Sequence, residues 1–356
     1  MTKIGIILGT RPEIIKLSPI IRKCQKQNID FFIIHSNQHY SENMDAIFFK
    51  ELELPHPKYN LEIGSCSHGQ MTGRMIEKIE KILIEEKPEW ILVQGDTNTV
   101  MAGALAASKL QIKVGHVEAG LRSYDRTMPE ETNRIVTDHI SDGLFPPTQK
   151  QADILIKEGI EKEKIIVTGN TIVDAVYQNI KLLEKHFELD HYQKENYFLL
   201  TSHRPSNVDN KENLSELIDA VTEVSKKYNY PVYFPIHPRT KKQIEIFNIK
   251  INENQIKLMD PVGYLEMLAL EKNAKLIFTD SGGIQEEACI LQTPSLTLRE
   301  NTERPETIEV GASILVGHNK ELIISSTEKM LSVDRNWSNP FGNGQSSKII
   351  LNNING

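Results

Sequence analysis

Cysteine is scarce: Cys24, Cys66 and Cys289 are the only three in 356 residues, far apart and in no metal-ligand spacing. That argues against a disulfide framework or a Cys-type zinc site and fits a reducing compartment. No apolar run approaches the roughly 18 residues that span a bilayer, so no membrane partner is expected. The first apolar stretch is broken from Gly9 to Lys16, which leaves no secretory leader and points to a cytoplasmic protein. A G-x-G-x-x-G fingerprint is missing as well, which speaks against NAD. Basic residues are the scarcer charge, 41 against 48 acidic, for a net charge of −7. The overall field repels anions, so nucleic acid is not an expected partner. Any anionic ligand must be met by local cations and helix N-termini.

What the chain has in quantity is alternation. Short apolar runs (IGIIL, FFIIH, EWILVQ, IKVGHV, KIIVT) are separated by amphipathic stretches of helical length. That order predicts βαβ units in a parallel sheet. After about Gly169 a polar region intervenes, and the pattern restarts with YFLLTS, VYFPIH, KLIFTD and PSLTL. The expected fold class is α/β with two doubly wound, Rossmann-like domains, residues 1–169 and 170–343.

Polar clusters fall where the apolar runs stop, which in open parallel sheets is where ligands bind. In GTRPE, Pro12 suits a first helical turn, so Arg11 is expected just before a helix N-terminus, with Lys16 a turn later. Two cations at a positive helix end call for an anion. Asp96 in LVQGDTNT is either the N-cap of the next helix or an acid at a strand end. Glu118 ends GHVE, with Arg122 beyond, and PEETNR supplies Glu130, Glu131, Asn133 and Arg134. Glu130, Asn133 and Arg134 share one helical face. First-turn acids suit the helix dipole. Three strand-end acids in one domain, Asp96, Glu118 and Glu130, also form a set suited to paired acid and base work.

The second series carries His203-Arg204 and His237-Pro238-Arg239 at two strand ends, which together look like an anion pocket. In DSGGIQEEA, Ser281-Gly282-Gly283 joins an apolar strand to a helix, where free N–H groups can surround a phosphate. Glu286 and Glu287 are expected in that helix's first turn, one of them to accept from ribose hydroxyls. Arg299, Glu303, Arg304 and Glu306 read as an ion-pair network.

Taken in order, GTRPEIIKLSP, GDTNT, GHVEAGLRS, PEETNR, GNTIVDA, DSGGIQEEA and TERPE resemble the non-hydrolysing UDP-N-acetylglucosamine 2-epimerases, from Ile4 to the C-terminal NPFGNGQSSKI. The resemblance implies a glycosyltransferase-B-type fold, two Rossmann-like domains facing a cleft. A C-terminal helix, residues 344–356, would return to the first domain. It implies reversible C2 epimerisation of UDP-N-acetylglucosamine to UDP-N-acetylmannosamine, by elimination of UDP to 2-acetamidoglucal and re-addition. No cofactor and no metal would take part. It makes Asp96, Glu118 and Glu130 catalytic carboxylates and places Lys16 in the same motif. Arg11 and His203 would be diphosphate or closure contacts, and Arg134 a further substrate contact. Ser281, Gly282 and Gly283 would form the phosphate loop, Glu287 would bind ribose, and Met267 would lie by the uracil. UDP-sugar and UDP are the expected partners, and a homodimer the expected assembly.

Gln38, His39 and His237 suggest part of a second UDP-sugar site. Ser41, Pro205 and Ser206 depart from the family there, so that site is expected to be weak or rebuilt. A UDP-2,3-diacetamido sugar remains an alternative substrate. A UDP-sugar glycosyltransferase, a UDP-sugar sensor and a hydrolysing epimerase are the competing functions.

Overall fold

The computed structural model describes residues 2–37, 48–64, 66–185 and 192–354. The chain forms two compact units, Met1–Gln178 with Phe341–Gly356, and Asn179–Pro340. The first holds β1 (Ile4–Leu8), β2 (Phe31–His35), β3 (Tyr59–Asn60), β4 (Trp90–Gln94), β5 (Lys113–Val117) and β6 (Gly143–Phe145). All pairs are parallel, in the order β3-β2-β1-β4-β5-β6. Every residue of β1 is buried, as a central parallel strand covered on both faces must be. The order reverses between β1 and β4, which opens a crevice at their carboxyl ends.

The second unit repeats this winding. Its strands are β7 (Phe198–Thr201), β8 (Val232–Pro235), β9 (Ile256–Met259), β10 (Leu276–Thr279), β11 (Ser295–Thr297) and β12 (Ser313–Leu315). They are ordered β12-β11-β10-β7-β8-β9, all parallel, with the switch between β7 and β10. Both units are thus Rossmann-like.

The apolar segment KIIVT is not a strand. Lys162–Lys164 is a 3-10 turn, and only Ile165 bridges to Leu144. The sixth strand is Gly143–Phe145 instead. It runs into Pro146 and Pro147, which have no N–H to extend a ladder. The strands β3, β9 and β12 are only two to four residues long, too short to stand out in the sequence.

The last helix, Ser346–Ile354, belongs to the first unit. Buried Asp174 caps it, accepting from the N–H of Ser346 at 3.1 Å, the N–H of Ser347 at 3.0 Å and the Ser347 hydroxyl at 2.7 Å. That accounts for the acid in GNTIVDA. No described helix is long and apolar enough to cross a membrane.

Candidate active site

In the first unit, β1 ends at Gly9. A Cβ there would stand 2.0 Å from Ser36 Oγ, so only glycine lets the chain turn into the next helix. That helix, Arg11–Gln27, begins one residue earlier than its proline suggested, with Thr10 as N-cap and Arg11 as its first residue. The Arg11 guanidinium lies 5.0 Å from the ring centre of Phe48.

Glu13 turns back to accept from the N–H of Gly9 at 2.5 Å and of Thr10 at 3.0 Å, and from the Thr97 hydroxyl at 2.5 Å. Burial pushes its carboxyl up to about 7, against those three donated bonds. Lys16 is buried, and its ammonium holds both oxygens of Glu118 at 2.7 and 2.9 Å. The anion that Lys16 meets is therefore the chain's own Glu118.

Glu118 also accepts from Gln94 and, at 3.3 Å, from Asn170. Its backbone is left-handed, at φ 67°, a conformation that costs a side-chain-bearing residue on the order of 1–2 kcal/mol. Chain strain and three donors together fix this carboxylate at the end of β5.

Asp96 is not the helix cap. Thr97 takes that place, accepting from Val100 N–H at 3.4 Å. The Asp96 carboxylate instead pairs with Arg134, and Asn133 donates to the Asp96 carbonyl at 2.9 Å. Arg134 is shared with Glu131 at 2.7 Å. Glu131 is buried, and the Ser123 and Tyr124 donors outweigh that burial to hold its pKa below the ordinary value. Glu130 is half-buried, and among the described residues no hydrogen bond or ion pair engages it. The buried acid of that turn is its neighbour.

In the second unit the organising group is Asp280, which sequence reading passed over as the residue before a glycine turn. It is fully buried, with oxygens that accept from the Ser202 hydroxyl at 2.9 Å, His203 N–H at 2.9 Å, Arg204 N–H at 3.0 Å and Asn207 at 3.1 Å. The His203 ring adds a contact at 3.1 Å. Burial raises the Asp280 carboxyl, but His203 and these donors win, and its pKa is lowered. The ring centres of His203 and His237 lie 5.6 Å apart, so the two strand-end histidines do meet. His237 is also the N-cap of Pro238–Phe247, accepting from Arg239 N–H at 3.1 Å.

Ser281 caps helix Gly282–Ile290. A Cβ added at Gly282 would meet nothing within 4 Å, so the space beside its Cα is open. Glu286 and Glu287 fall in the second turn of that helix, not the first. Glu286 pairs with Arg304 at 2.5 Å, and Glu287 accepts from the Tyr264 hydroxyl at 2.7 Å. Arg299 and Glu303 form the expected ion pair, in two bonds of 2.7 and 2.9 Å. Met267 is half-buried against the cluster of Tyr197, Leu199 and Ile277. Gln38 and His39 lie outside the described residues. Among the described residues no group of His, Cys, Asp and Glu could hold a metal ion.

Two Rossmann-like sheets of identical winding, with polar clusters at the ends of their switch-point strands, place the protein in the glycosyltransferase-B-like class. More narrowly, the chain belongs to the UDP-N-acetylglucosamine 2-epimerase family, which residues 22–355 match. It is 61% identical over 357 residues to the UDP-N-acetylglucosamine 2-epimerase of Methanocaldococcus jannaschii, covering 98% of each chain. It is 40% identical over 352 residues to the UDP-2,3-diacetamido-2,3-dideoxy-D-glucuronate 2-epimerase of Pseudomonas aeruginosa, again over 98% of each. A crystal structure of the M. jannaschii UDP-GlcNAc 2-epimerase in complex with UDP-GlcNAc and UDP has a TM-score of 0.88 at 60% identity, with 99% of both chains covered.

Proposed function

We propose that this chain interconverts UDP-N-acetylglucosamine and UDP-N-acetylmannosamine by eliminating and re-adding UDP, supplying a nucleotide sugar for surface polysaccharide or glycan synthesis. The observation that carries it is Glu118, held by Lys16 at the end of β5, on the same switch-point edge as Asp96 and its partner Arg134. Family membership and the ligands named for the M. jannaschii structure support the substrate.

The chemistry explains the residue types. The C2 proton of the sugar is not beside a carbonyl and is only weakly acidic. A carboxylate takes it as the C1–O bond breaks, and the bonding pair leaves with the diphosphate. The products are 2-acetamidoglucal and UDP. Reprotonation on the opposite face and return of UDP to C1 complete the exchange, with no net oxidation, so no cofactor is called for.

Asp96, Glu118 and Glu130 supply the acid and base groups, the usual scale of whose contribution is about 100- to 10,000-fold each. Arg11 answers the charge that develops on the leaving group, and Lys16 holds Glu118 in place. Residues 170–343 bind UDP. Ser281, Gly282 and Gly283 take the phosphates, Glu287 the ribose and Met267 the uracil side, with His203 closing on the diphosphate. A second UDP-sugar beside His237 acts as a weak activator.

The test is incubation with UDP-N-acetylglucosamine in heavy water, followed by proton NMR. The expected product is UDP-N-acetylmannosamine with deuterium at C2. Product that keeps its C2 hydrogen overturns the elimination route. Conversion of a UDP-2,3-diacetamido sugar alone moves the assignment to that substrate.

A further inference from the structure

His116, in the middle of GHVE, is buried on β5 two residues before Glu118, and no role assigned above uses it. Its Nε2 lies 2.8 Å from the carbonyl oxygen of Gly95 and its Nδ1 2.7 Å from Asp138 Oδ1. A carbonyl only accepts, so Nε2 carries a hydrogen. Asp138, on helix Pro129–Ile140, also takes Arg122 at 2.7 Å and the N–H of Gly120 at 3.3 Å on its other oxygen. Burial raises that carboxyl, yet His116 and Arg122 outweigh it and hold its pKa below the ordinary value. Arg122 passes on to Glu158 at 2.8 Å.

The partner at Nε2 matters most. Gly95 is the residue before Asp96, and it turns the chain with φ 86°. Its N–H is already bonded to Val117 at 3.2 Å. The turn is then gripped in sequence: the Gly95 carbonyl by His116, the Asp96 carbonyl by Asn133, the Thr97 hydroxyl by Glu13. The His116 contact thus joins the Gly95 N–H bond to Val117 in tying the Asp96 turn to the strand that carries Glu118, and of the two only it uses a side chain. Both ring nitrogens are partnered, each by an element of the site.

We propose that His116 is a positioning residue of the reaction, donating from Nε2 to clamp the Gly95 carbonyl and so set Asp96 relative to Glu118. It rests on Asp96 and Glu118 acting in the proposed epimerisation. Displacement of a reacting group by about 1 Å typically costs on the order of 100-fold.

Two variants of the full chain separate the clamp from mere packing. His116→Asn keeps a donor where Nδ1 stands and removes the one that reaches Gly95. His116→Gln extends an amide N–H toward Gly95. The expectation is that His116→Asn lowers kcat roughly 10- to 100-fold, with KM and UDP affinity within about twofold. His116→Gln should recover most of that loss. Equal kcat for His116→Asn and wild type, or a loss in KM instead, overturns the proposal.

Nitrogen NMR of wild-type protein labelled at histidine supplies a readout independent of turnover. Nε2 of His116 should carry a hydrogen, and an Nδ1–H tautomer with a bare Nε2 overturns the clamp as drawn. If wild type epimerises nothing, the reaction reading fails while this Nε2 signature still stands or falls by itself.

Discussion

The two units share a strand order and differ in what they put at the ends of the switch-point strands. In the first, β4 and β5 run into carboxylates matched to cations: Asp96 with Arg134 and Glu118 with Lys16. In the second, β10 ends in one buried carboxylate, Asp280, spent on fixing the chain after β7, and then in a capped helix start with two glycines. The first arrangement keeps charged groups poised where protons can move. The second leaves a glycine-rich helix start, which the proposed function gives to a phosphate. The same scaffold is therefore specialised by three or four residues per strand end, in line with function residing in the site and not in the fold.

The sharpest way to break this division is to strike the acids. Glu118→Gln and Asp96→Asn should each lower kcat by about 100-fold or more while leaving UDP affinity nearly unchanged. Titration calorimetry with UDP and progress curves on the UDP-sugar check both halves. If turnover stays near wild type, these carboxylates are structural ion pairs and the division of labour is wrong.

Gly282→Ala tests the other side. The new methyl meets no protein atom within 4 Å, and alanine favours a helix over glycine by roughly 1 kcal/mol, so the melting temperature should hold or rise. UDP, however, should bind about 10- to 150-fold more weakly, the scale of one lost charge-assisted hydrogen bond. A variant that melts higher and binds UDP normally would remove Gly282 from the phosphate site.

The strand ends were legible because apolar runs stop abruptly at Gly9, Gly95, Glu118, Ser202 and Asp280, and an open parallel sheet leaves only those ends for ligands. Which group neutralises which was not. Lys16 and Glu118 are 102 residues apart, and their meeting depends on β1, β4 and β5 lying side by side in register, which local periodicity does not encode. For the same reason Lys16 read as a receiver of ligand charge, and His116 and Asp138 carried no signal. Asp280 was hidden differently: its partners at Ser202 to Asn207 lie across the sheet, so in sequence it is only an acid before a turn. In PEETNR the helical face of Glu130 was read correctly, but burial fell on Glu131, because the loop at Ser123 and Tyr124 returns to that side.

The smallest expected effect concerns pH, and it carries opposite signs in the two units. Glu13 in the first unit is raised from 4.5 to about 7, burial being the largest cause. Its native form holds a proton more readily than the unfolded chain between those values. Its stabilisation is therefore complete below about 4.5 and is lost as pH rises through 7. Glu303 in the second unit is lowered from 4.5 to about 2, chiefly by its bonds from Arg299. There the unfolded chain holds the proton more readily, so stabilisation is present above 4.5 and is lost as pH falls toward 2.

Glu86, also lowered to about 2 by Lys3 and Lys58, gives the first unit an acid limb of its own. The distinguishing feature is thus the Glu13 contribution above pH 4.5. The chain's two tryptophans make this measurable, since Trp90 lies in the first unit and Trp337 in the second. Burial lowers His35 of the same unit from 6.5 to about 4, which adds stability as pH rises through that window and offsets the Glu13 loss. In Trp337→Phe protein, Glu13→Gln should therefore make the urea midpoints followed at Trp90 rise more steeply between pH 4.5 and 7. In Trp90→Phe protein, midpoints followed at Trp337 should fall as pH drops below 4.5, and Glu303→Gln should flatten that limb. A Glu13→Gln protein with an unchanged slope would show that the three donors at its carboxylate outweigh burial and keep it ionised throughout.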